Sequence, residues 1–147
     1  MKANTHLNLP SVGRFQFFSL IELMVVILII GLVVGLVGPA LFDQFEKARQ
    51  NTARNQILLL KECAKSYYLD MNEYPQSLED LVRDPGGRKS WKGPYIEDGE
   101  LPPDPWDNDY QYRNPGENGR PFDIYSYGKD NQFGGEGGDA DIGTWKE

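Results

Sequence analysis

The sequence predicts an α+β protein: a long N-terminal helix, transmembrane in its first part and amphipathic in its second, packed on a small antiparallel sheet with a C-terminal loop. Three observations carry this. From Leu23 to Phe42 there is no charged residue, which supplies the ~20 apolar residues an α-helix needs to cross a bilayer core. An apolar stripe then continues at helical spacing as far as Tyr67 or Tyr68. Beyond Trp91 the pattern changes to short alternating stretches separated by Pro, Gly and Asn, as strands and turns require.

Taken in order, residues 1–17 are mostly polar and weakly basic, with Pro10 and Gly13 as breakers, and are expected to be a leader. Residues 18–42 are the expected membrane segment and 43–147 the exported domain. Lys2 and Arg14 precede the segment and no acid does so before Glu22, which keeps the N-terminus on the cytoplasmic side. Glu22 is a carboxylate at the start of a membrane helix, where ionisable groups are costly and usually partnered. Two readings stay open for it: a carboxyl hydrated at the interface, or one that contacts another subunit.

Past Pro39, which lacks a backbone donor and should kink or weaken the helix, the stripe is Phe42, Phe45, Ala48, Ala53, Ile57, Leu60, Ala64 and Tyr67 or Tyr68. One helix from Phe18 to about Asp70 would be ~80 Å long. It should end near Asn72, ahead of Tyr74-Pro75. Ser77 to Asp80 reads as a capped short helix reaching about Arg83, with Leu78, Leu81 and Val82 turned inward. Residues 93–96, 109–113 and 122–127 are the strand candidates. Asn114 to Gly119 is a turn between the last two, and Trp106 is expected to plug into the core.

Composition narrows function. From Asp43 onward there are 13 Lys/Arg against 21 Asp/Glu, and from Pro94 onward 4 against 13. Such a surface repels nucleic acid and attracts cations. The one histidine, His6, lies in the leader, and the one cysteine, Cys63, lies in a helical pattern as a small buried hydrophobe. No Ser/His/Asp or Cys/His set can form in the exported domain, and no zinc spacing or phosphate loop is present, so an enzyme is not expected. Asp130, Asp139 and Asp141 sit on glycine-rich loops near the C-terminus, where carboxylates and carbonyls could converge on a hard cation. An equally open reading is a flexible acidic tail. An EF-hand is excluded, because Asp139 to Gly143 lacks the downstream glutamate at the required spacing.

Phe18-Ser19-Leu20-Ile21-Glu22, followed by an apolar helix interrupted at Gly38-Pro39, resembles the N-terminal segment of type IV pilin-like proteins. Asp104-Pro105-Trp106-x-Asn108, Phe122-Asp123-Ile124-Tyr125-Ser126, Gly134-Gly135-Glu136-Gly137 and Ala140-Asp141-Ile142-Gly143 narrow the resemblance to major pseudopilins of type II secretion systems. It covers nearly the whole chain from Phe18, with the motifs in the family's order. The resemblance implies cleavage by a prepilin peptidase between Phe17 and Phe18 with methylation of the new amine, Glu22 as the assembly glutamate, and Pro39 as a point where the helix can melt. Phe17 stands where the family carries glycine, and a peptidase site shaped for glycine should resist its ring.

The resemblance further implies a structural Ca²⁺ bound by Asp130, Asp139 and Asp141 with a carbonyl from Tyr127. The implied partners are further copies in a helical homopolymer, minor pseudopilins, the inner-membrane assembly platform, the prepilin peptidase and the membrane, with no nucleic acid. The expected location is the inner membrane, single-pass, with the C-terminal domain periplasmic. The function implied is structural: a subunit of the secretion pseudopilus that supports protein export across the outer membrane. The alternatives are an unprocessed membrane-anchored Ca²⁺-binding interaction domain or a minor type IV pilin.

Overall fold

The computed structural model describes residues 18–145; the leader, with His6 and Phe17, lies outside the described residues. One helix, α1, runs Leu20–Met71 and is continuous across Pro39. It ends where the reading placed it. Asn72 takes the left-handed conformation (φ 58°) and donates its N–H to the Tyr68 carbonyl at 2.8 Å, which closes the helix as a left-handed cap does.

The chain divides into two compact units between Pro39 and Ala40. In the first unit the large apolar side chains from Leu20 onward are all exposed, and the exposure continues in the second unit through Phe42. In the second unit α1 buries Ala53, Ile57, Leu60, Ala64 and Tyr67 as one stripe of the core. Three residues of the expected stripe do not belong to it: Phe42 and Phe45 are 76% and 66% exposed, and Ala48, on the opposite side of the helix from Glu46, is exposed as well. Among the described residues the burial of α1 in this unit begins at Glu46, which leaves Phe42 and Phe45 bare. At the other end the choice falls on Tyr67, buried against Tyr95, and Tyr68 is left partly exposed to stack on Tyr74.

Leu78–Leu81 is a short 3₁₀ turn with Leu78 and Leu81 buried. The Asp80 carboxylate accepts from the Gln76 and Ser77 N–H groups at 2.8 and 3.2 Å, which satisfies two donors that a short helix leaves orphaned. The sheet has three antiparallel strands in the order β1-β2-β3: β1 Gln111–Arg113, β2 Asp123–Ser126 and β3 Ile142–Gly143. Tyr112 lies opposite Ile124, and Ser126 opposite Ile142. Residues 93–96 form no strand. Pro94 has no N–H to give to a ladder, and Tyr95 donates its own to the Leu81 carbonyl at 2.7 Å. The third strand comes instead from the C-terminal loop.

All four residues of β2 are buried, and it is the central strand of the sheet. Ile124 faces the core, and Tyr125 packs against Tyr127 and Trp145. Asp123 is 1% exposed. Burial alone would raise its carboxyl, but hydrogen bonds from the Arg120 guanidinium, the Glu117 N–H and Thr144 outweigh this and hold it below the usual carboxylate range. Tyr110 and Tyr112 tie the sheet to the helical layer, donating to Gln56 Oε1 at 2.6 Å and the Pro75 carbonyl at 2.8 Å. Burial, with the Asp104 and Asp80 charges respectively adding to it, pushes both phenols well above their usual range. Cys63 is half-buried and donates to the Tyr95 carbonyl at 3.0 Å; burial raises its thiol.

Candidate functional site

Two regions hold the residues singled out from the sequence. The first is the start of α1. Phe18 is exposed, and the Glu22 carboxylate folds back to accept from the Ser19 N–H at 3.4 Å. A carboxylate at this position also meets the positive end of the helix dipole. Among the described residues α1 is the one helix long and apolar enough to cross a membrane, near the N-terminus. Among the described residues its large apolar side chains from Leu20 to Phe42 are all exposed, an extent of apolar surface that calls for lipid or other helices.

The second region is the C-terminal loop. Its foundation is Asp104, 2% exposed. One carboxylate oxygen accepts from the Trp106 and Asn108 N–H groups at 3.0 and 2.9 Å, and the other accepts from the Ser126 hydroxyl. Ser126 Oγ in turn accepts from the Gly128 N–H at 3.0 Å, and the Asn108 amide donates to the Gly128 carbonyl at 3.2 Å. This network fixes Gly128 on both sides. A Cβ on Gly128 would lie 3.1 Å from the carbonyl oxygens of Gly138 and Ala140, and its φ is +74°. Only glycine lets the loops approach this closely without strain.

The loop is also held to α1. Trp106 is only partly buried; it plugs the edge of the core and donates its indole N–H to Glu46 Oε1 at 2.8 Å. The Glu46 side chain lies against Gly138, and Gln50 donates its amide to the Gly137 carbonyl. Asp141 Oδ2 accepts from the Gly134 N–H at 3.0 Å, and Asp141 returns its own N–H to the Gly134 carbonyl at 3.3 Å.

Of the four expected cation ligands, Asp139 and Asp141 share one loop beside the Gly138 and Ala140 carbonyls. Asp130 is exposed and accepts from the Gln132 N–H within its own turn. Tyr127 is half-buried and stacks edge-on to Tyr125. Among the described residues no three His, Cys, Asp or Glu side chains form a metal-holding group. The atoms packed around Gly128 include the carbonyl oxygens of Gly138 and Ala140, and the Asp139 and Asp141 carboxylates belong to the same loop, so the donors it offers are oxygens. That chemistry fits a hard cation such as Ca²⁺ better than a soft one.

Sequence reasoning missed Asp104, Asn108, Ser126, Glu46 and Gln50 as supports of the loop. The Asp-Pro-Trp-x-Asn spacing was a usable signal, since a carboxylate that bonds the backbone two and four residues on is a known turn habit of Asp.

The comparisons with known proteins agree. The family model described as "Type II secretion system (T2SS), protein G" matches residues 40–145. A type II secretion system core protein G of Vibrio cholerae is 44% identical over 134 residues, covering 87% of this chain and 90% of the relative. One from Pseudomonas aeruginosa is 43% identical over 135 residues, covering 87% and 93%. Among solved structures, the major pseudopilin from the type 2 secretion system of enterohaemorrhagic Escherichia coli superposes with a TM-score of 0.59 at 34% identity. That superposition covers 73% of this chain and 95% of the other. The chain belongs to the type II secretion system protein G family, the family of the major pseudopilin, whose role is structural and not enzymatic.

Proposed function

We propose that this chain is a subunit of the secretion pseudopilus, polymerising through the apolar part of α1 to support protein export across the outer membrane. The observation that carries the reading is α1 itself. A family member whose helix leaves every large apolar side chain from Leu20 to Phe42 exposed, with a carboxylate at its start, has a surface suited first to lipid and then to other copies of the same helix. Before assembly the chain sits in the inner membrane as a single pass with its C-terminal domain periplasmic. There it meets the prepilin peptidase, the minor pseudopilins and the assembly platform. Glu22 is the assembly carboxylate, neutralising the amine of a neighbouring Phe18 once the bond after Phe17 is cut, and Pro39 marks where α1 can loosen in the filament.

The test is cross-linking of the full-length protein in membranes of cells that carry the secretion machinery. The expected result is a ladder of multimers that Glu22→Ala reduces by more than about tenfold, since an unpaired charge in lipid costs roughly 2.5–3.5 kcal/mol. A ladder indifferent to Glu22 would count against helix-driven assembly.

The C-terminal loop is read as a Ca²⁺ site held by Asp139 and Asp141 with Asp130 and the Tyr127 carbonyl. The ion would offset the repulsion among the carboxylates and so couple binding to loop order. Chelating Ca²⁺ from the full-length protein in detergent is expected to lower its melting temperature by ~10–20 °C. That follows from the ~2.7 kcal/mol a site contributes at 100 times its Kd and from the sensitivity of a domain this size. Equal melting curves with and without chelator would remove the ion from the account.

A further inference from the structure

We infer that the free edge of β1 is a docking site for an extended peptide segment of another protein, one that carries Lys or Arg and adds to the sheet as a fourth strand. This goes beyond the assembly reading above and does not depend on it.

The sheet order β1-β2-β3 leaves one long side of β1 without a neighbouring strand. Which backbone groups face that side follows from the bonds of β2. Ile124 accepts from the Thr144 N–H at 3.0 Å and donates its own N–H to Thr144 Oγ1 at 3.4 Å, so both of its backbone groups point to the β3 side. Tyr112 stands directly opposite Ile124, and in an antiparallel ladder the residue so placed turns its N–H and C=O away from the pair. Gln111 and Arg113 are then the residues that bond β2, and Tyr112 presents one donor and one acceptor to the open side. Among the described residues no turn or loop bond takes up either group. A free donor and acceptor on a sheet edge are what an incoming strand pairs with.

The open side is a groove. A space of about 300 Å³ is lined by Tyr110 and Tyr112 together with Ser77, Leu78, Leu101 and Pro102, which is room for a few residues of extended chain. Leu101 is followed by Pro102 and Pro103, which have no N–H to give. The segment of this chain that borders the groove therefore lacks the donors to close the edge itself.

Charge selects the occupant. Glu79 and Asp109 line the same groove, and no Lys, Arg or His does. Both are exposed, and among the described residues neither enters an ion pair. A segment with cationic side chains satisfies these carboxylates, whereas an acidic one meets like charge. A second copy pairing edge to edge through its own β1 would bring the two carboxylate pairs together, so the partner is a different chain.

The test uses the full-length protein in detergent and three end-blocked, dye-labelled peptides. They are Lys-Thr-Val-Thr-Lys, its Glu-Thr-Val-Thr-Glu counterpart, and the Lys peptide N-methylated at its three central residues, which keeps the charge but lacks the strand donors. Fluorescence anisotropy reads binding, and amide hydrogen exchange of Tyr112, followed by NMR, reads pairing. The Lys peptide is expected to bind about tenfold tighter than either of the others and to slow exchange at Tyr112 by about tenfold or more. E79K with D109K is expected to reverse the preference between the Lys and Glu peptides, which also shows that the variant is folded. E97Q with D98Q, acids on a different turn, is expected to leave it within about twofold. Equal binding of the N-methylated peptide, or binding without protection of Tyr112, would mean attraction by net charge alone and would overturn the added strand. No binding of the Lys peptide, or a preference that survives the reversal at Glu79 and Asp109, would overturn the site.

Discussion

Asp104→Ala is expected to lower the melting temperature of the full-length protein in detergent by ~15–30 °C. The buried carboxylate accepts from Trp106 N–H, Asn108 N–H and the Ser126 hydroxyl, and alanine leaves all three donors in a water-poor site. Each orphaned buried donor costs about 1–3 kcal/mol, and water entering the new space would recover part of that. A net loss of about 3–5 kcal/mol converts to this shift at ~4–8 °C per kcal/mol. The damage should also spread. Ser126 holds the Gly128 N–H and Asn108 its carbonyl, so the C-terminal loop loses the support beneath it. Asp104→Asn keeps the shape and one accepting oxygen and should cost only about 1–2 kcal/mol. Near-UV circular dichroism would follow both melts, and equal melting temperatures for the two variants would show that the network is not what holds this corner.

The second large effect is at Gly135. Its φ is +82°, and a Cβ there would sit 2.4 Å from the Asp139 carbonyl oxygen, against backbone that cannot rotate away. Gly135→Ala should destabilise by about 2–4 kcal/mol, combining left-handed strain with the clash. Gly137→Ala is the control, since its φ is +60° and nothing lies within 4 Å; it carries the strain alone, about 1–2 kcal/mol. The gap between the two measures the close approach of the loop to itself. Because the Gly134 and Asp141 backbones bond each other across this crossing, Gly135→Ala should also abolish the chelator sensitivity proposed for the loop, and Gly137→Ala should leave it.

Position along the chain governs how much of this could be read in advance. The run from Leu23 to Phe42, the helix end at Asn72 and the turn at Ser77 to Asp80 were legible because each depends on near neighbours: hydropathy, a cap, a capping carboxylate. The strand at Gln111–Arg113 was legible for the same reason, through alternation, and Asp123–Ser126 was legible in place but not in its burial on both faces. The failures were all long-range. Phe42 and Phe45 fit the helical stripe perfectly well but have no sheet or loop above them, and residues 93–96 look extended yet send their one useful donor to Leu81. The role of Asp104 depended on Ser126, 22 residues on, which local pattern does not reveal.

The candidate loop divides in the same way. The sequence could place Asp130, Asp139 and Asp141 on glycine-rich loops. Tertiary structure separated them: Asp130 caps its own turn at Gln132, whereas Asp141 is bonded to Gly134 and Asp139 lies beside the carbonyls packed on Gly128. By itself the sequence determined the helix, its membrane-length apolar part and the family, because hydrophobic period and ordered motifs are properties of the chain. The tertiary structure alone decided which face of α1 is core, that the third strand is Ile142–Gly143, and that a buried aspartate carries the loop. Those outcomes depend on which distant donors and apolar surfaces meet, and each is settled by the cost of leaving a buried polar group or an apolar side chain without a partner.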